Sequence, residues 1–498
     1  MRCYKILIFF ISVLLLLALL SLVFPVDGYN IGSIHLRFVD METLLSDRNE
    51  DVETAEEKLA KIEAELRLQF VHDSLERVYQ AEIADSMAYV DTLMSFRNFI
   101  DNSTARIYFP DDDPSLFYDL FARLDSCSSN NEVVRILHYG DSQIESDRIT
   151  GYIREQLQNK FGGSGVGLVP AVQPIPSVSV SQRASDSIPR YIADGNFRQK
   201  LDNHHYGILA QMAQLDGDVT LSFATRNVKD SYPNARSFSK VRLLVGNTYG
   251  SFSANLTSGK INVIKNIEEP TAELRVLTWD LDTTMSKFSL RLSGDAEIYG
   301  VSMDGDYGVA VDNIPLRGSS GTFFTSISKD LLSSAMQQLN VRLIILEFGG
   351  NATAYMASDS LIMSYKNKIS RQISYLKRIY PSAEILFVGP ADMSKKVNGV
   401  LQTYPNLESV VKCLKEAALE NGAAFWSMYD VMGGKNSMIK WAEHQPAWAS
   451  KDYIHFTRQG ANRIAELFVQ TFMIYYDYYH FLQRHPQRNA DDIIMKLK

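Results

Sequence analysis

The stretch that decides the fold is VVRILHYGDSQIESDRITGYIREQLQNKFGG, residues 133–163. Val133–Leu137 is a short apolar run of the kind that forms a buried strand. A turn sequence, Gly140-Asp141-Ser142, follows it. The next apolar residues recur every four positions, at Ile149, Ile153, Leu157 and Phe161. This spacing predicts a helix that ends at Gly162-Gly163, so the stretch predicts a strand, a tight turn and a helix.

The same alternation of strands and helices resumes after residue 341. Three short apolar runs are interpreted as buried strands, at 342–347, 385–388 and 423–426. Two segments with apolar residues at helical spacing lie between them, at 362–376 and 407–414. Strands that alternate with helices predict an α/β fold, with a parallel sheet covered by helices on both faces.

The middle of the chain has a different pattern. Five segments there have the character of strands and are separated by Gly, Asn and Asp turns, at 219–224, 241–245, 274–279, 288–293 and 296–303. Several alternate apolar with polar residues and none shows a helical face, which is typical of an all-β domain. The simplest organisation is an all-β sandwich at 176–302, inserted into an α/β domain at 107–175 and 303–482. A C-terminal tail, 483–498, follows.

An apolar run near the N-terminus, Ile6–Phe24, follows Arg2 and Lys5. The run is long enough to cross a bilayer, and a positive flank stays in the cytoplasm. We therefore predict a signal-anchor transmembrane helix at 1–26, with a cleaved signal peptide as the alternative. Either interpretation places the rest of the chain outside the cytoplasm.

The segment 27–106 is predicted to be an acidic helical stalk or linker. Residues 40–96 contain no Gly or Pro. Apolar residues recur there at spacings of three and four, at Val52, Ala55, Leu59, Ile62 and Leu66. This stripe indicates a helix, which we interpret as a solvent-exposed stalk.

Composition excludes several classes of protein. The chain has 498 residues, enough for about two to four domains. Its net charge of −8 disfavours a nucleic-acid-binding protein. The three cysteines include no CxxC pair, which excludes a disulfide-rich scaffold and disfavours a structural zinc site. We predict that Cys127 and Cys413 are reduced, buried thiols, with a disulfide between them as the alternative.

Ser142 is the first candidate for chemistry. A serine that ends a buried strand and opens a helix exposes its hydroxyl, and its N–H lies where helix donors are unpaired. That environment suits a nucleophile whose substrate oxygen becomes negative. The alternative is that Ser142 only caps the helix.

His455 is the candidate base. Asp452 precedes it by three residues, so one turn brings a carboxylate to the imidazole Nδ1–H and leaves Nε2 free to take a proton. Thr457 is a plausible N-cap for the helix predicted to follow. A surface histidine beside an aspartate is the alternative.

Two further hydrogen-bond donors would stabilise an oxyanion. Asn351 follows Gly349-Gly350 directly after the strand at 342–347, where parallel sheets bind ligands. Gly318 lies in a glycine-rich segment after another apolar stretch and offers a backbone N–H, with Gly321 as its competitor. Each of these residues could instead serve only in a turn.

Together and in this order, four blocks resemble the SGNH (GDSL) hydrolase family. They are Gly140-Asp141-Ser142-Gln143, Gly318, Gly349-Gly350-Asn351 and Asp452-Tyr453-Ile454-His455. The resemblance implies a three-layer α/β/α fold. It makes Ser142 the nucleophile, His455 the base and Asp452 its orienting carboxylate, with Ser142, Gly318 and Asn351 as the oxyanion hole. The chain departs from the family pattern at Gln143, where GDSL has Leu, and at Ala352, where many members have Asp.

The long separation of Ser142 from Gly318 adds to the resemblance. An exported SGNH chain with a β insertion at this point is similar to bacterial peptidoglycan O-acetylesterases, whose insert looks like a carbohydrate-binding module. Met432-Gly433-Gly434 also looks like that group, and the resemblance implies substrate-binding residues at Gln143, Gly350, Met432 and Gly433. Three aromatic residues of the insert are candidates for stacking on sugars, with core packing as the alternative: Tyr249, Phe252 and Trp279.

The resemblance implies an extracytoplasmic serine esterase that removes O-acetyl groups from peptidoglycan or another envelope polysaccharide. It requires no metal and no organic cofactor. The expected location is the periplasmic side of a bacterial inner membrane, with secretion after signal cleavage as the alternative. A polysaccharide O-acetyltransferase with the same triad, supplied by a membrane-bound O-acyltransferase, is one alternative function, and an inactive glycan-binding envelope protein is another.

Overall fold

The computed structural model describes residues 3–23, 29–31, 34–36, 55–69, 86–173, 175–194 and 201–485. The chain divides into two compact units, Met1–Glu57 and Lys58–Lys498. The predicted tail, 483–498, lies outside the described residues from 486 onward.

The helices of the described residues are α1 (Cys3–Val23), α2 (Ala55–Gln69), α3 (Ser86–Asn102), α4 (Tyr118–Ser126), α5 (Thr150–Phe161), α6 (Lys329–Gln338), α7 (Gly350–Thr353), α8 (Asp359–Ile379), α9 (Leu407–Glu420), α10 (Met428–Val431), α11 (Ser437–Glu443) and α12 (Arg458–Arg484). Short 3-10 helices lie at Pro110–Asp112, Pro114–Phe117, Glu145–Asp147, Pro233–Arg236 and Phe324–Ser326.

The strands are β1 (Tyr29–Ile31), β2 (Ile34–Leu36), β3 (Ile107–Tyr108), β4 (Val133–Gly140), β5 (Gly167–Val169), β6 (Val180–Ala184), β7 (Arg190–Ile192), β8 (Gln211–Thr225), β9 (Phe238–Gly246), β10 (Phe252–Ser258), β11 (Ile261–Ile267), β12 (Arg275–Met285), β13 (Lys287–Asp304), β14 (Gly308–Pro315), β15 (Val341–Glu347), β16 (Glu384–Gly389), β17 (Ser394–Val397), β18 (Val400–Thr403) and β19 (Ala424–Ser427).

One sheet has six strands in the order β14-β4-β15-β16-β19-β3. Its first five strands are parallel, and β3 closes the edge antiparallel to β19. The predicted parallel sheet is therefore confirmed, with the antiparallel edge strand as an addition. The strands that were predicted at 342–347, 385–388 and 423–426 are β15, β16 and β19.

Both faces of this sheet are covered by helices, because alternate residues of each strand point to opposite sides. On β15, Leu343 and Ile345 belong to a core that includes buried residues of α4, α5 and α12. Ile344 and Leu346 belong to a second core with residues of α6, α8 and α9. The result is the three-layer α/β/α arrangement that the resemblance implied.

Strands β5 to β13 form one antiparallel sheet of nine strands, built around β13. The first half of β13 pairs with β10 and the second half with β9, and the register shifts between Ile298 and Gly300. The predicted strands at 288–293 and 296–303 are thus one long strand. Strands β5, β6, β7, β10 and β11 were not predicted; β5 and β7 have only three residues each, whereas β10 was missed although its apolar and polar residues alternate. Phe252 and Trp279 are buried in the core of this insert, and only Tyr249 is exposed.

A buried ion-pair network joins the insert to the parallel sheet. Arg135 on β4 donates to Asp312 on β14 at 2.6 Å and to Asp304 at the end of β13, also at 2.6 Å. Asp312 also accepts the N–H of Leu168 on β5 at 2.7 Å. Arg135, Asp304 and Asp312 are all fully buried, so charged side chains of the insert and of the parallel sheet meet in the interior.

Cys127 and Cys413 are free and buried, as predicted. Cys127 packs in the same core as α4, and its thiol donates to the carbonyl of Leu124. Cys413 lies on the inner face of α9. The predicted alternative, a disulfide between them, is therefore excluded.

Residues 6–23 of the apolar run lie in helix α1, and β1 pairs antiparallel with β2. No helix among the described residues has both the length and the apolar character needed to cross a membrane. The predicted signal-anchor helix at 1–26 is therefore not supported.

The prediction of a solvent-exposed stalk needs correction from Lys58 onward. Leu59 and Ile62 of the predicted stripe are buried, and Glu63 forms an ion pair with Arg463 on α12. On α3, aromatic side chains pack against α12, such as Phe99 against Tyr475. These helices cover the α12 face because their apolar stripes have a partner there. Val52 and the side chain of Leu66 lie outside the described residues.

Candidate active site

Ser142 lies in a turn that leaves the carboxyl end of β4. The following segment forms a 3-10 helix, Glu145–Asp147, and α5 begins only at Thr150. The expectation that Ser142 opens the helix is therefore wrong, and its N–H is not part of the first turn of α5. The sequence gives no clear signal for this intervening turn, in which Ser146 and Asp147 both have a left-handed backbone.

Ser142, His455 and Asp452 form a continuous hydrogen-bonded chain. Ser142 Oγ lies 2.9 Å from His455 Nε2, and His455 Nδ1 lies 2.8 Å from Asp452 Oδ2. The His455 side chain is 35% exposed, so solvent and substrate can reach it. The structure thus brings together three residues that were predicted as a triad and are 313 positions apart at their widest.

The loop before α12 fixes the carboxylate of Asp452. Asp452 Oδ1 accepts the N–H groups of Ile454 and His455 at 2.9 and 3.0 Å. Tyr453 has a φ of 56°, and this left-handed turn folds both N–H groups back onto the carboxylate. Burial alone would raise the pKa of Asp452, but the hydrogen bonds from His455 and Ile454 outweigh it and lower the pKa. Asp452 therefore stays ionised beside the imidazole.

The N–H groups of Ser142 and Gly318 are both available to a substrate oxygen. Neither donates a hydrogen bond to another described residue, and both residues line the same cavity. Gly318 has a φ of 77°, which only glycine adopts without strain. The competitor Gly321 is less suitable, because its N–H already donates to Ser319 Oγ at 3.0 Å.

Asn351 is the second residue of the short helix α7 and lines the cavity beside Ser142. Its Nδ2 donates to Asp141 Oδ2 at 2.8 Å and to the carbonyl of Ser319 at 3.1 Å. Both amide hydrogens are therefore engaged, and a substrate oxyanion would have to share one of them. Asn351 is therefore held between the turn that carries Ser142 and the segment that carries Gly318.

Asp141 is a further residue of the site whose role the sequence did not reveal. Its Oδ1 accepts the N–H of Gln143 at 2.9 Å, while Oδ2 accepts from Asn351. Burial raises the pKa of Asp141 to about 7, and the nearby carboxylates of Glu347 and Glu145 act in the same direction. The residue was visible in the motif, but its burial depends on the tertiary fold.

Gln143 and Arg148 tie the serine turn to the histidine loop. Gln143 Nε2 donates to the carbonyl of Ile454 at 2.7 Å. Arg148 donates to the carbonyls of Ser142, Glu145 and Phe456. Gln143 was predicted to bind substrate, and the structure shows it at the cavity with its amide engaged in this bridge. Arg148 was not predicted, because an arginine six residues after the serine has no distinguishing pattern.

The cavity around the triad has a volume of about 840 Å³. Gly350, predicted to bind substrate, lines it, and so does Tyr355, whose ring is 76% exposed. Met432 and Gly433 are not among the lining residues. Met432 is fully buried in the core below, and its carbonyl accepts from the indole of Trp441, so the predicted contact with substrate is corrected. Within the described ranges, no group of three or more His, Cys, Asp or Glu residues is placed to hold a metal ion.

The fold can be compared with those of known proteins. No family model and no curated protein matches the chain. Among solved structures, it is similar to a peptidoglycan O-acetylesterase, with a TM-score of 0.59 and 19% identity over 74% of this chain and 98% of that one.

Two other solved structures are similar at lower scores. A family two carbohydrate esterase from Cellvibrio japonicus has a TM-score of 0.24 and 11% identity over 60% of this chain and 99% of that one. A GDSL-like lipase from Parabacteroides merdae has a TM-score of 0.24 and 13% identity over 33% of this chain and 74% of that one. At 19% identity, the likeness to the peptidoglycan O-acetylesterase concerns the fold.

Proposed function

We propose that the protein is a serine esterase that removes O-acetyl groups from peptidoglycan or another envelope polysaccharide. The observation that carries the proposal is the hydrogen-bonded chain from Ser142 through His455 to Asp452 at the edge of an open cavity. Nucleophile, base and orienting carboxylate lie within hydrogen-bond distance of one another, as covalent catalysis requires.

In this proposal, Ser142 Oγ attacks the acetyl carbonyl while His455 Nε2 takes its proton. Asp452 stabilises the resulting imidazolium. The N–H groups of Ser142 and Gly318 hold the oxyanion, and Asn351 shares an amide hydrogen with it. The sugar hydroxyl leaves with the proton from His455, and water then releases acetate from Ser142 by the same steps in reverse order.

The proposed substrate is an acetylated polysaccharide, because the cavity is open and carries an exposed aromatic ring at Tyr355. An aromatic face can pack against the apolar face of a sugar ring. The likeness to a peptidoglycan O-acetylesterase, which includes 98% of that chain, supports the same substrate class.

We also propose that the enzyme works outside the cytoplasm, in the bacterial envelope. The basis is the sequence near the N-terminus, where the apolar run 6–24 follows Arg2 and Lys5. An extracytoplasmic location would give the site access to the wall polysaccharide. Protease accessibility of the protein in intact spheroplasts tests this, because a cytoplasmic protein would stay protected.

The deciding experiment is acetate release from O-acetylated peptidoglycan by the full-length protein, with Ser142→Ala as control. We expect release that depends on Ser142. A parallel reaction contains an unacetylated oligosaccharide acceptor. Acetyl transfer to the acceptor in place of free acetate would show a transferase, and binding of the polymer without any turnover would show a glycan-binding protein.

A further inference from the structure

A second cavity, of about 610 Å³, lies between the insert and the parallel sheet. Its walls are largely apolar and come from both parts, including Leu168, Ile192 and Leu209 on one side and Ile314 on the other. The segment Arg317–Ser320 borders both this cavity and the catalytic one. The two cavities therefore adjoin each other along the segment that carries Gly318.

Three arginines line this cavity, and two of them are paired with carboxylates. Arg154 is paired with Asp147 at 2.7 Å, and Arg317 with Glu145 at 2.5 Å. Asp194 accepts from the hydroxyl of Ser319. Arg190 has no carboxylate within ion-pair distance among the described residues, and its only hydrogen bond runs from Nε to Gln211 Oε1 at 2.5 Å.

Arg190 is half-buried, and burial is the one cause that lowers its pKa. A guanidinium in such a place has lost part of its hydration without gaining a counter-charge, which costs free energy. Its two Nη groups remain as a planar pair of donors. That geometry fits the two oxygens of a carboxylate.

We propose that this second cavity binds a carboxylate substituent of the acetylated glycan through Arg190, so that the enzyme prefers acidic over neutral acetylated polymers. The apolar walls would contact the carbon atoms that link this carboxylate to the sugar. The inference rests on the proposed esterase function and specifies its substrate class. It assigns Arg190 to substrate recognition and leaves the chemical step to Ser142 and His455.

The test compares two substrates that differ only in charge. One is O-acetylated peptidoglycan, and the other is the same preparation after its carboxyl groups have been amidated with carbodiimide and methylamine. The variant Arg190→Met removes the charge and keeps the chain length. The matched control is Arg183→Met on the neighbouring strand β6, because Arg183 is exposed and does not line this cavity.

We expect Arg190→Met to raise KM for the acidic polymer about tenfold or more, the usual effect of losing a charge-assisted hydrogen bond. Its activity on the amidated polymer and on 4-nitrophenyl acetate should equal that of the unmodified protein, and Arg183→Met should change nothing. Amidation of the polymer should raise the KM of the unmodified protein by the same factor, and this comparison does not depend on the folding of a variant.

Equal activity of the unmodified protein on both polymers would overturn the inference while leaving the esterase proposal intact. No hydrolysis of any acetate ester would overturn the esterase proposal instead. In that case co-sedimentation of Ser142→Ala with the two insoluble polymers still measures whether the protein prefers the polymer that carries carboxylates. Stronger sedimentation with the acidic polymer supports the inference, and equal sedimentation refutes it.

Discussion

Ser142 lines the cavity, and its hydroxyl is hydrogen-bonded to a histidine which is itself bonded to a carboxylate. Ser142→Ala should abolish hydrolysis of 4-nitrophenyl acetate, with a loss in kcat on the order of 10⁶ as in other triads. The fold should persist, since Ser142 lies in a turn at the cavity. Ser320→Ala, which removes a nearby hydroxyl, is the matched control. Activity near normal in Ser142→Ala would rule out the serine mechanism.

Asp452 orients His455, so the losses in kcat caused by replacing the two residues should not be additive. Asp452→Asn keeps an oxygen for the N–H groups of Ile454 and His455 but turns a donor toward His455 Nδ1. In a serine protease the equivalent change costs about 10⁴ in kcat. We expect a smaller loss here and a larger one in His455→Ala, with the double variant little worse than His455→Ala. Kinetics at one pH, checked by circular dichroism, measure this, and strictly multiplicative losses would show that the pair does not act together.

The raised pKa of Asp141 makes stability depend on pH. The folded protein holds the Asp141 proton up to about pH 7, whereas the unfolded chain releases it near pH 4. Between these values the folded state binds more protons, so the contribution of Asp141 to stability falls as pH rises. Asp141→Asn removes this dependence.

Relative to the unmodified protein, Asp141→Asn should therefore become more stable by about 2 kcal/mol on going from pH 5 to pH 8. Urea unfolding at both pH values measures the difference. Asp330→Asn, whose carboxylate is 89% exposed, is the control and should show no such change. A constant difference between Asp141→Asn and the unmodified protein would mean that Asp141 ionises normally.

The triad residues could be predicted because each belongs to a short motif with a fixed local spacing. Asp452 and His455 share one turn, and Ser142 ends a strand that is recognisable on its own. The supporting contacts could not be predicted in the same way. Arg148 and Asp141 acquire their roles from residues more than 200 positions away, and Met432 became a core residue because the loop that carries it packs inward.

At the level of elements, the turn after β4 and the loop before α12 are held together by Arg148. Its guanidinium reaches carbonyls on both, at Ser142 and Phe456. Arg148→Met should lower kcat for 4-nitrophenyl acetate about 100-fold with little change in KM, because a small displacement of reacting groups has this cost. Arg342→Met, on β15 away from the site, is the control. An unchanged kcat would show that the loops keep their geometry without Arg148.

Most elements whose apolar residues recur at a regular spacing were predicted well, and those without such a spacing were not. α8, α9 and the buried strands β15 and β16 follow clear apolar patterns. The 3-10 turn after Ser142 has no such pattern, and its left-handed residues are not glycines. The apolar stripe of α2 was recognised, but it was interpreted as part of a solvent-exposed stalk, whereas Leu59 and Ile62 are buried in the core that includes residues of α12.

At the scale of the molecule, the insert and the parallel sheet share the buried Arg135 network. Arg135→Met would leave Asp312 without a cation and Asp304 with only Arg242. We expect a loss of about 3–5 kcal/mol in the free energy of unfolding, the usual cost of an unpaired buried charge. Calorimetry should show both parts unfolding in one transition, shifted to lower temperature. Two separate transitions would show that the insert folds independently of the network.

The order of strands in the parallel sheet also has a consequence for biosynthesis. β4 leads into the turn that carries Ser142, yet both of its neighbours, β14 and β15, come after the insert in the chain. As the ribosome extends the polypeptide, β4 therefore has no partner until residues 141–307 have been made. Most strands of the insert pair with others inside it, so they need no later sequence and can form while β4 waits. The strand that places Ser142 is thus synthesised well before either of the strands that enclose it.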